Sequence, residues 1–507
     1  MRAETKMPNG LLSVTADLSR CPVILPEFQA LRDQARDPIE VPQESVTFGD
    51  KHGNVLRKIY ELILVGVLDV TNDQYNTLSN IYHRQTEFIE KKSIDALKTD
   101  IIAFKTIVTS LPVYQHLRVI DIGDLFADRG EQDVLMFILF LYLKKQKLSF
   151  KIHYSNHDDV MFRQYANSVT NNSPIVFKSE IGRDNISQDR SWINLGKLIE
   201  LHVISEESIK RYISELKNHL TLLSSELIDD HLLIRSHAPI DLRHIDTLLA
   251  QMKIIFTTRK DETLVVATQR KIEAINNAFK KMVDDNDFKY FEPDKNFFFR
   301  ISHFPKVVEI VFSDGYLDTV NALHSTIWSR VLEVVNRESD IQFAGERVRM
   351  QLFLPDNVTH ITFMFGHVGE NNFIRRSDGA PDPRFMNIES DVGKGASLYQ
   401  GKLTFFYTGK SMLIAELADR HAIEWETRDN YFHLWQWHKN IVSPVEIQPV
   451  GAISSRARVV EREIETRDRS CCVRVSQCMS SFFHAITRCC QRCCEDSCDA
   501  MSLTEPN

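Results

Sequence analysis

The chain reads as an α/β layered fold, and three observations carry that reading. Short runs rich in branched and aromatic residues, of strand length, alternate with stretches of helical spacing. Several of these runs end in a polar cluster bearing aspartate, asparagine or histidine. The helical stretches are long enough to cover a sheet. Strands alternating with helices, with reactive side chains at strand C-termini, belong to sheets flanked by helices. The 507 residues, 43% hydrophobic and 26% charged, suffice for a sizeable core and more than one domain.

Taken in order, residues 1–43 read as a loosely ordered lead-in, and residues 44–442 as the main domain. The strand Ser45–Phe48 opens that domain and delivers Gly49-Asp50-Lys51-His52-Gly53. Asn54–Leu68 has helical spacing. An insert at about 70–112 follows, carrying a long charged helical stretch, Asp73–Thr109, and no motif. It is read as a helical hairpin packed on the domain or, preferred here, as a docking arm for a partner. Leu117–Ile122 delivers Gly123-Asp124, which runs on to Asp128-Arg129-Gly130. Glu131–Lys147 is helical, and its apolar stretch Val134–Leu143 is too short to span a bilayer, so it reads as a buried helix. Leu148–Tyr154 delivers Asn156-His157-Asp158. A helix is expected over Glu206–Leu227, then Leu232–Arg235 delivers Ser236-His237-Ala238. A second insert, at about 257–350, holds helical patterns at Asp261–Val283 and Leu317–Arg337. Ile361–Phe365 delivers Gly366-His367-Val368. Met386–Ser390, Gly393, Gly395 and the strand-like Lys402–Tyr407 close the domain. Asn430–His438, with Trp435 and Trp437, reads as a core-capping element.

Five separated segments of hard oxygen and imidazole donors fit one chemistry. Hydrolysing a phosphate ester at neutral pH needs an activated water and neutralisation of the transferring phosphoryl group. Two divalent cations roughly 3.5–4 Å apart supply both. Imidazole, carboxylate and amide oxygen suit Mn, Fe or Zn better than a thiolate-rich site would. One carboxylate must bridge the ions, and a protonatable group must meet the leaving oxygen. Singly, each residue has an ordinary structural role. Asp50 and His52 suit a turn, His237 a core position, His367 a turn, and Asp128-Arg129 an ion pair at a helix start. Their joint occurrence argues for the metal site.

These five segments resemble the phosphoprotein phosphatase branch of the calcineurin-like metallophosphoesterases, over roughly residues 44–410. The resemblance implies a β-sandwich flanked by helices, here with helical inserts. It implies that Asp50 and His52 bind the first metal and that Asp124 bridges. Asn156, His237 and His367 complete the second site. His157 is the general acid, oriented by Asp128, and Arg129 holds the phosphate. Two departures stand out. The second motif, Gly123 to Gly130, is one residue longer than the family pattern, within Leu125–Ala127. The third has Ser155 and Asp158 where the family has glycine and glutamate. A further phosphate-binding arginine is not assignable among Arg163, Arg300 and Arg375. Core, inserts and tail together look similar to the Wip-type phosphatase effectors of Legionella. That implies secretion without a signal peptide, action in host cytoplasm, and a phosphoprotein substrate.

Eight of the nine cysteines lie between Cys471 and Cys498, inside a distinct tail, residues 443–507, and many are paired. Zinc would use Cys490, Cys493 and His484, but no second Cys-x-x-Cys of sensible spacing completes a site. Disulfides need an oxidising compartment, which the apparent lack of a leader argues against. S-acylation suits paired cysteines beside arginines and apolar residues, at Cys471, Cys472, Cys489, Cys490, Cys493 and Cys494. It would tie the tail to a membrane. A net charge of −8 gives no general attraction to nucleic acid. The sequence thus predicts a metal-dependent protein phosphatase. The alternatives are a nucleotide or small-molecule phosphoesterase, and a scaffold whose metal site is vestigial.

Overall fold

The computed structural model describes residues 10–34, 44–178, 186–228, 230–288, 291, 322–328, 330–331, 349–350, 354, 357–367, 384–389, 392, 394 and 399–409. Two sheets carry the fold. The larger has six strands in the order β1 (Gly10–Asp17), β12 (Gln400–Thr408), β2 (Ser45–Phe48), β3 (Arg118–Asp121), β4 (Phe150–His153) and β5 (Leu220–Thr221). β2 to β5 run parallel, and β12 is antiparallel to both β1 and β2. The smaller sheet is ordered β11 (Phe385–Asn387), β10 (Ile361–Phe365), β7 (His231–Ser236) and β6 (Leu223–Ile228). β11, β10 and β7 are parallel, and β6 is antiparallel to β7. β8 (Arg330–Val331) and β9 (Arg349–Met350) form a separate pair.

The period-2 pattern explains how each strand serves two layers. Ile120 and Ile122 from β3 and its end, Phe406 from β12, Leu233 from β7, Met364 from β10 and Ile388 form one buried cluster between the sheets. Polar pairs cross the same gap: Arg235 Nε donates to Thr47 Oγ1 at 2.8 Å, and His153 lies 2.9 Å from Ser224 Oγ. The alternate residues Val46, Phe48 and Val119 join the larger cluster under the helices.

On that outer side lie α2 (Val55–Leu64) and α6 (Asp133–Lys145), which pack together. α6 is apolar on nearly every face and buried on nearly every residue, as its sequence requires of a helix enclosed by protein. α8 (Arg190–Glu200) and α9 (Glu206–Leu216) pack against it, while α7 (Asn156–Asn171) follows β4. On the smaller sheet, α11 (Leu264–Asp284) packs on β6 and against α10 (Leu242–Gln251), with α12 (Ala322–Trp328) beside α10. The expectation of an α/β fold with sheets flanked by helices and helical inserts is met.

Three expectations change. The lead-in is ordered over residues 10–34: β1 pairs along its whole length with β12, and α1 (Pro26–Gln34) buries Phe28 against Phe405 and Tyr407. A partner some 390 residues away leaves no local signature. The stretch Asp73–Thr109 is three helices, α3 (Asn72–His83), α4 (Gln85–Glu90) and α5 (Ile94–Ser110). Thr71 starts the first with a capping box closed by Gln74. The helix expected over Glu206–Leu227 ends at Leu216, because residues 223–228 pair with β7. Asn276 of α11 accepts the backbone N–H groups of Leu222 and Leu223 there, at 3.3 and 3.1 Å. The aromatic stretch at Asn430–His438, the cysteine tail, Arg300, Arg375 and much of 292–350 lie outside the described residues.

Candidate active site

Every residue assigned to the metal site from sequence stands at or just beyond the C-terminal end of a parallel strand. Asp50 and His52 follow β2, Asp124 follows β3, Asn156 and His157 open α7 after β4, His237 follows β7 and His367 follows β10. The two sheets aim these ends at one point. Backbone bonds staple the loops: Gly53 N–H to Asp124 C=O at 3.0 Å, and Gly366 N–H to His237 C=O at 3.0 Å.

Two groups of donors converge, all buried. Asp50, Asp124, His237 and His367 place one ligand atom each within 4.8 Å of one another, and His52, Asp124 and Asp128 do the same. Asp124 is common to both. Asp50 thus stands with the late histidines rather than with His52. His52 is held instead between two carboxylates, Asp128 Oδ2 at 3.1 Å from Nδ1 and Glu389 Oε1 at 3.2 Å from Nε2. Asn156 Oδ1 lies 2.8 Å from His237 Nε2, and His237 Nδ1 donates to Ile122 C=O at 2.9 Å. The rings of His237 and His367 pack at 4.7 Å.

Backbone strain collects here. His52, Asp124 and His367 all have left-handed φ, at 55°, 51° and 63°. Non-glycine residues persist there only where the surroundings hold them, and such positions cluster at functional sites. Gly123, at φ 135°, has no room for a side chain, since a Cβ would lie 2.3 Å from His237 Nδ1.

The longer second motif is absorbed by Ala127, which turns left-handed at φ 52°. Its N–H donates to Asp133 Oδ2 at 3.0 Å, and its C=O accepts from His157 Nδ1 at 3.0 Å. Phe126 N–H donates to Asp158 Oδ1 at 2.9 Å. Asp128 lies 3.4 Å from His157 Nε2 and is bound by Arg129 Nη1 at 3.1 Å. Arg129 keeps a quarter of its side chain exposed (25%), unlike the fully buried Asp128 beside it. Arg163 is held by Asp159, one turn back on α7, at 2.7 Å.

The site is an acidic ring. Burial, then the charges of Glu389 and Asp124, raise Asp50 to about 7. Burial opposes charge on His237 and on His157, but nearby carboxylates outweigh it. Asp50 and Asp124 raise His237 to about 9, while Asp128, Asp124 and Asp189 raise His157 to about 10. Asp128 goes the other way: burial pushes it up, yet His157, Arg129 and His52 hold it well below the carboxylate range. Asp124 Oδ1 is buried with no hydrogen-bond donor among the described residues, 3.7 Å from His237 Nε2. An orphaned carboxylate oxygen amid an excess of carboxylates and imidazoles is what a divalent cation relieves. The donor set fits such ions.

Sequence reading missed three supports. Glu389, after β11, touches His52, and its Oε2 accepts the His367 N–H at 2.9 Å beside Asp50 Oδ2 at 3.0 Å. It lies in the closing stretch Met386–Ser390, where nothing in the sequence sets it apart from any other acid. Asp189, just before α8, is buried with Oδ1 3.5 Å from His157 Nδ1. Behind the first motif, Lys51 meets Glu61 at 3.1 Å and Asp121 at 3.4 Å, Lys58 meets Asp121 at 2.6 Å and Arg57 meets Glu61 at 3.1 Å, all inaccessible to solvent. The alternation Asp50-Lys51-His52 was the only available sign of that network.

The first insert is tied to the residues that follow Asp128-Arg129-Gly130. Gln132 Nε2 donates to Gln85 Oε1 at 2.6 Å, Thr86 hydrogen-bonds Glu131, and Asn194 Nδ2 donates to Glu131 C=O at 2.7 Å. Glu131 and Gln132 directly follow Arg129-Gly130.

Comparison with known proteins supplies the class. The profile described as "WipA-like, phosphatase domain" matches residues 118–377, just over half of the 507 residues. This is a phosphatase. More particularly, the chain belongs to the WipA-like phosphatase family. Among solved structures, the phosphatase domain of the Legionella effector WipB is similar, at 18% identity and TM-score 0.49, over 62% of this chain and 100% of that one. No curated protein matches.

Proposed function

We propose that the chain is a two-metal phosphatase acting on phosphoserine, phosphothreonine or phosphotyrosine in proteins. The observation that carries this reading is that Asp124 belongs to both converging donor groups, as a bridging carboxylate must. The ions would be held by Asp50, His52, Asn156, His237 and His367, with Asp124 common to the two donor groups. Mn is the favoured metal, with Fe or Zn as the other candidates. When bound, two such ions activate water and neutralise the phosphoryl oxygens. Arg129 takes the remaining phosphate charge. Water attacks phosphorus, the bond to the leaving oxygen breaks, and His157 gives that oxygen its Nε2 proton. Asp128 stands between His52, Arg129 and His157 and anchors the Arg129 guanidinium.

The first insert is read as a docking arm. The tail, 443–507, is read as a membrane anchor, S-acylated at the paired cysteines, and the setting as the cytoplasm of a host cell into which the chain is secreted. Paired cysteines among arginines support the anchor; release of the tail from membranes by hydroxylamine tests it.

The deciding experiment gives purified protein with Mn²⁺ a panel of phosphopeptides beside nucleotides. Preference for phosphopeptides is expected, and preference for nucleotides overturns the substrate class. Asp124→Asn should lose most bound metal and nearly all activity. Two ions per chain by elemental analysis of that variant would refute the bridging assignment.

A further inference from the structure

We propose that the carboxylate orienting His157 for proton transfer is Asp189, not Asp128. The inference rests on the reading of His157 as the general acid.

A histidine acting as acid needs one ring nitrogen free to meet the leaving oxygen and the other held by an acceptor that fixes the ring and favours its protonated form. The orienting group must therefore sit on the nitrogen that does not react. Asp128 is on the wrong side for this. Its Oδ1 lies 3.4 Å from His157 Nε2, and the same carboxylate receives Arg129 Nη1 and His52 Nδ1. A carboxylate at Nε2 faces the very proton that is to be delivered.

The Nδ1 side is furnished differently. Nδ1 donates to Ala127 C=O at 3.0 Å, and Asp189 Oδ1 lies 3.5 Å from the same atom. The Ala127 bond places the hydrogen on Nδ1, and the Asp189 carboxylate lies against the same edge of the ring. Asp189 is completely buried and stands immediately before α8, two residues ahead of Ser191. The Ser191 hydroxyl accepts the Asp128 N–H at 3.1 Å, and Ser191 N–H donates to Asp128 C=O at 2.9 Å. The start of α8 is thus bonded directly to Asp128, which fixes Asp189 relative to His157.

The cause lies in the second motif. With one residue more before Asp128, the left-handed turn at Ala127 brings a carbonyl oxygen to Nδ1, while Asp128 faces Nε2. A carboxylate from another part of the chain then serves the Nδ1 side.

The test uses full-length protein with Mn²⁺ and two substrates differing in leaving group, p-nitrophenyl phosphate and phenyl phosphate. A group that orients the acid matters more where the leaving oxygen needs its proton. Asp189→Asn should lower kcat on phenyl phosphate by about 10–100-fold, the range for an outer partner of a working imidazole. It should lower kcat much less on p-nitrophenyl phosphate, leave metal content unchanged, and add little to His157→Ala. Asp189→Ser, which keeps an oxygen near the start of α8 without the charge, should show the same split; it decides the matter if the asparagine variant does not fold. If His157→Ala shows the split while the Asp189 variants do not, the proposal is wrong and the acid reading stands. If His157→Ala itself affects both substrates equally, His157 is not the acid and the proposal falls with it.

Discussion

Ser155 Oγ accepts the backbone N–H of Asp124 at 3.0 Å, so the first residue before α7 holds the carboxylate common to both donor groups in its left-handed conformation. The same hydroxyl caps α7 through Asp158 N–H at 3.2 Å and donates to Asp158 Oδ2 at 2.7 Å. The other oxygen of Asp158 holds Phe126 N–H. The two residues that depart from the resembled family in the third motif are thus the ones that grip the lengthened second motif. The departures form one device.

That device is testable. Ser155→Ala strips a cap and leaves the Asp124 N–H unsatisfied, which together cost roughly 1–3 kcal/mol. Asp158→Glu adds a methylene to a full pocket and should destabilise by about 1–3 kcal/mol. Because both act on one loop, urea unfolding of the double variant should give less than the sum of the single losses. Additive losses would mean that the two residues serve separate parts of the structure.

Glu389→Gln keeps the size but removes a charge shared with His52 and Asp50. Metal affinity should drop about 10–100-fold, as for other partners that orient ligands. Titrating Mn²⁺ into metal-free protein and following the rise in Tm reads this without any assay of activity. An unchanged titration midpoint would leave Glu389 a packing residue.

The bond from Gln85 to Gln132 joins the first insert to the residues just after Arg129. Gln85→Leu should lower kcat by roughly 3–10-fold, since small misplacements of a positioned group are costly. Its KM for p-nitrophenyl phosphate, too small to reach a docking arm, should hold. A change in KM alone would show that the insert touches substrate rather than the loop.

Burial drives His116 and His244 down to about 4. Their unfolded value is about 6.5, so between these values the unfolded chain binds more protons. The stability they contribute is therefore complete above about pH 6.5 and is lost as pH falls toward 4. A His116→Gln, His244→Gln variant should lose less Tm than wild type between pH 7 and pH 5. Equal losses would place the acid sensitivity elsewhere.

What the sequence made legible was local. Asp50, Asp124, Asn156 and His237 each follow a run whose strand character needs no distant partner to be recognised, and parallel strands deliver their ends to one side. What stayed hidden depends on contacts between distant segments. Glu389 and Asp189 are single acids in unmarked stretches, and only folding brings them to His52 and His157. The sidedness of the His157 ring follows from one turn at Ala127, which a count of residues could flag but not resolve. Leu223 keeps a helical spacing while pairing as strand with Ser236, and Asn276 takes the N–H groups of Leu222 and Leu223.

β12 lies between β1 and β2, and this sets an order of assembly. A chain growing from its N-terminus holds β2 at an open sheet edge until residue 400 emerges. Closing a loop of about 350 residues costs only a little more entropy than closing a short one, but the search is slow. Meanwhile an unpaired edge invites pairing with other chains. The strand that leads into Asp50 and His52 is thus, like β1, one whose neighbour arrives late. Nascent chains stopped before Gln400 should neither retain metal nor resist protease, and those that pass Thr408 should gain both together.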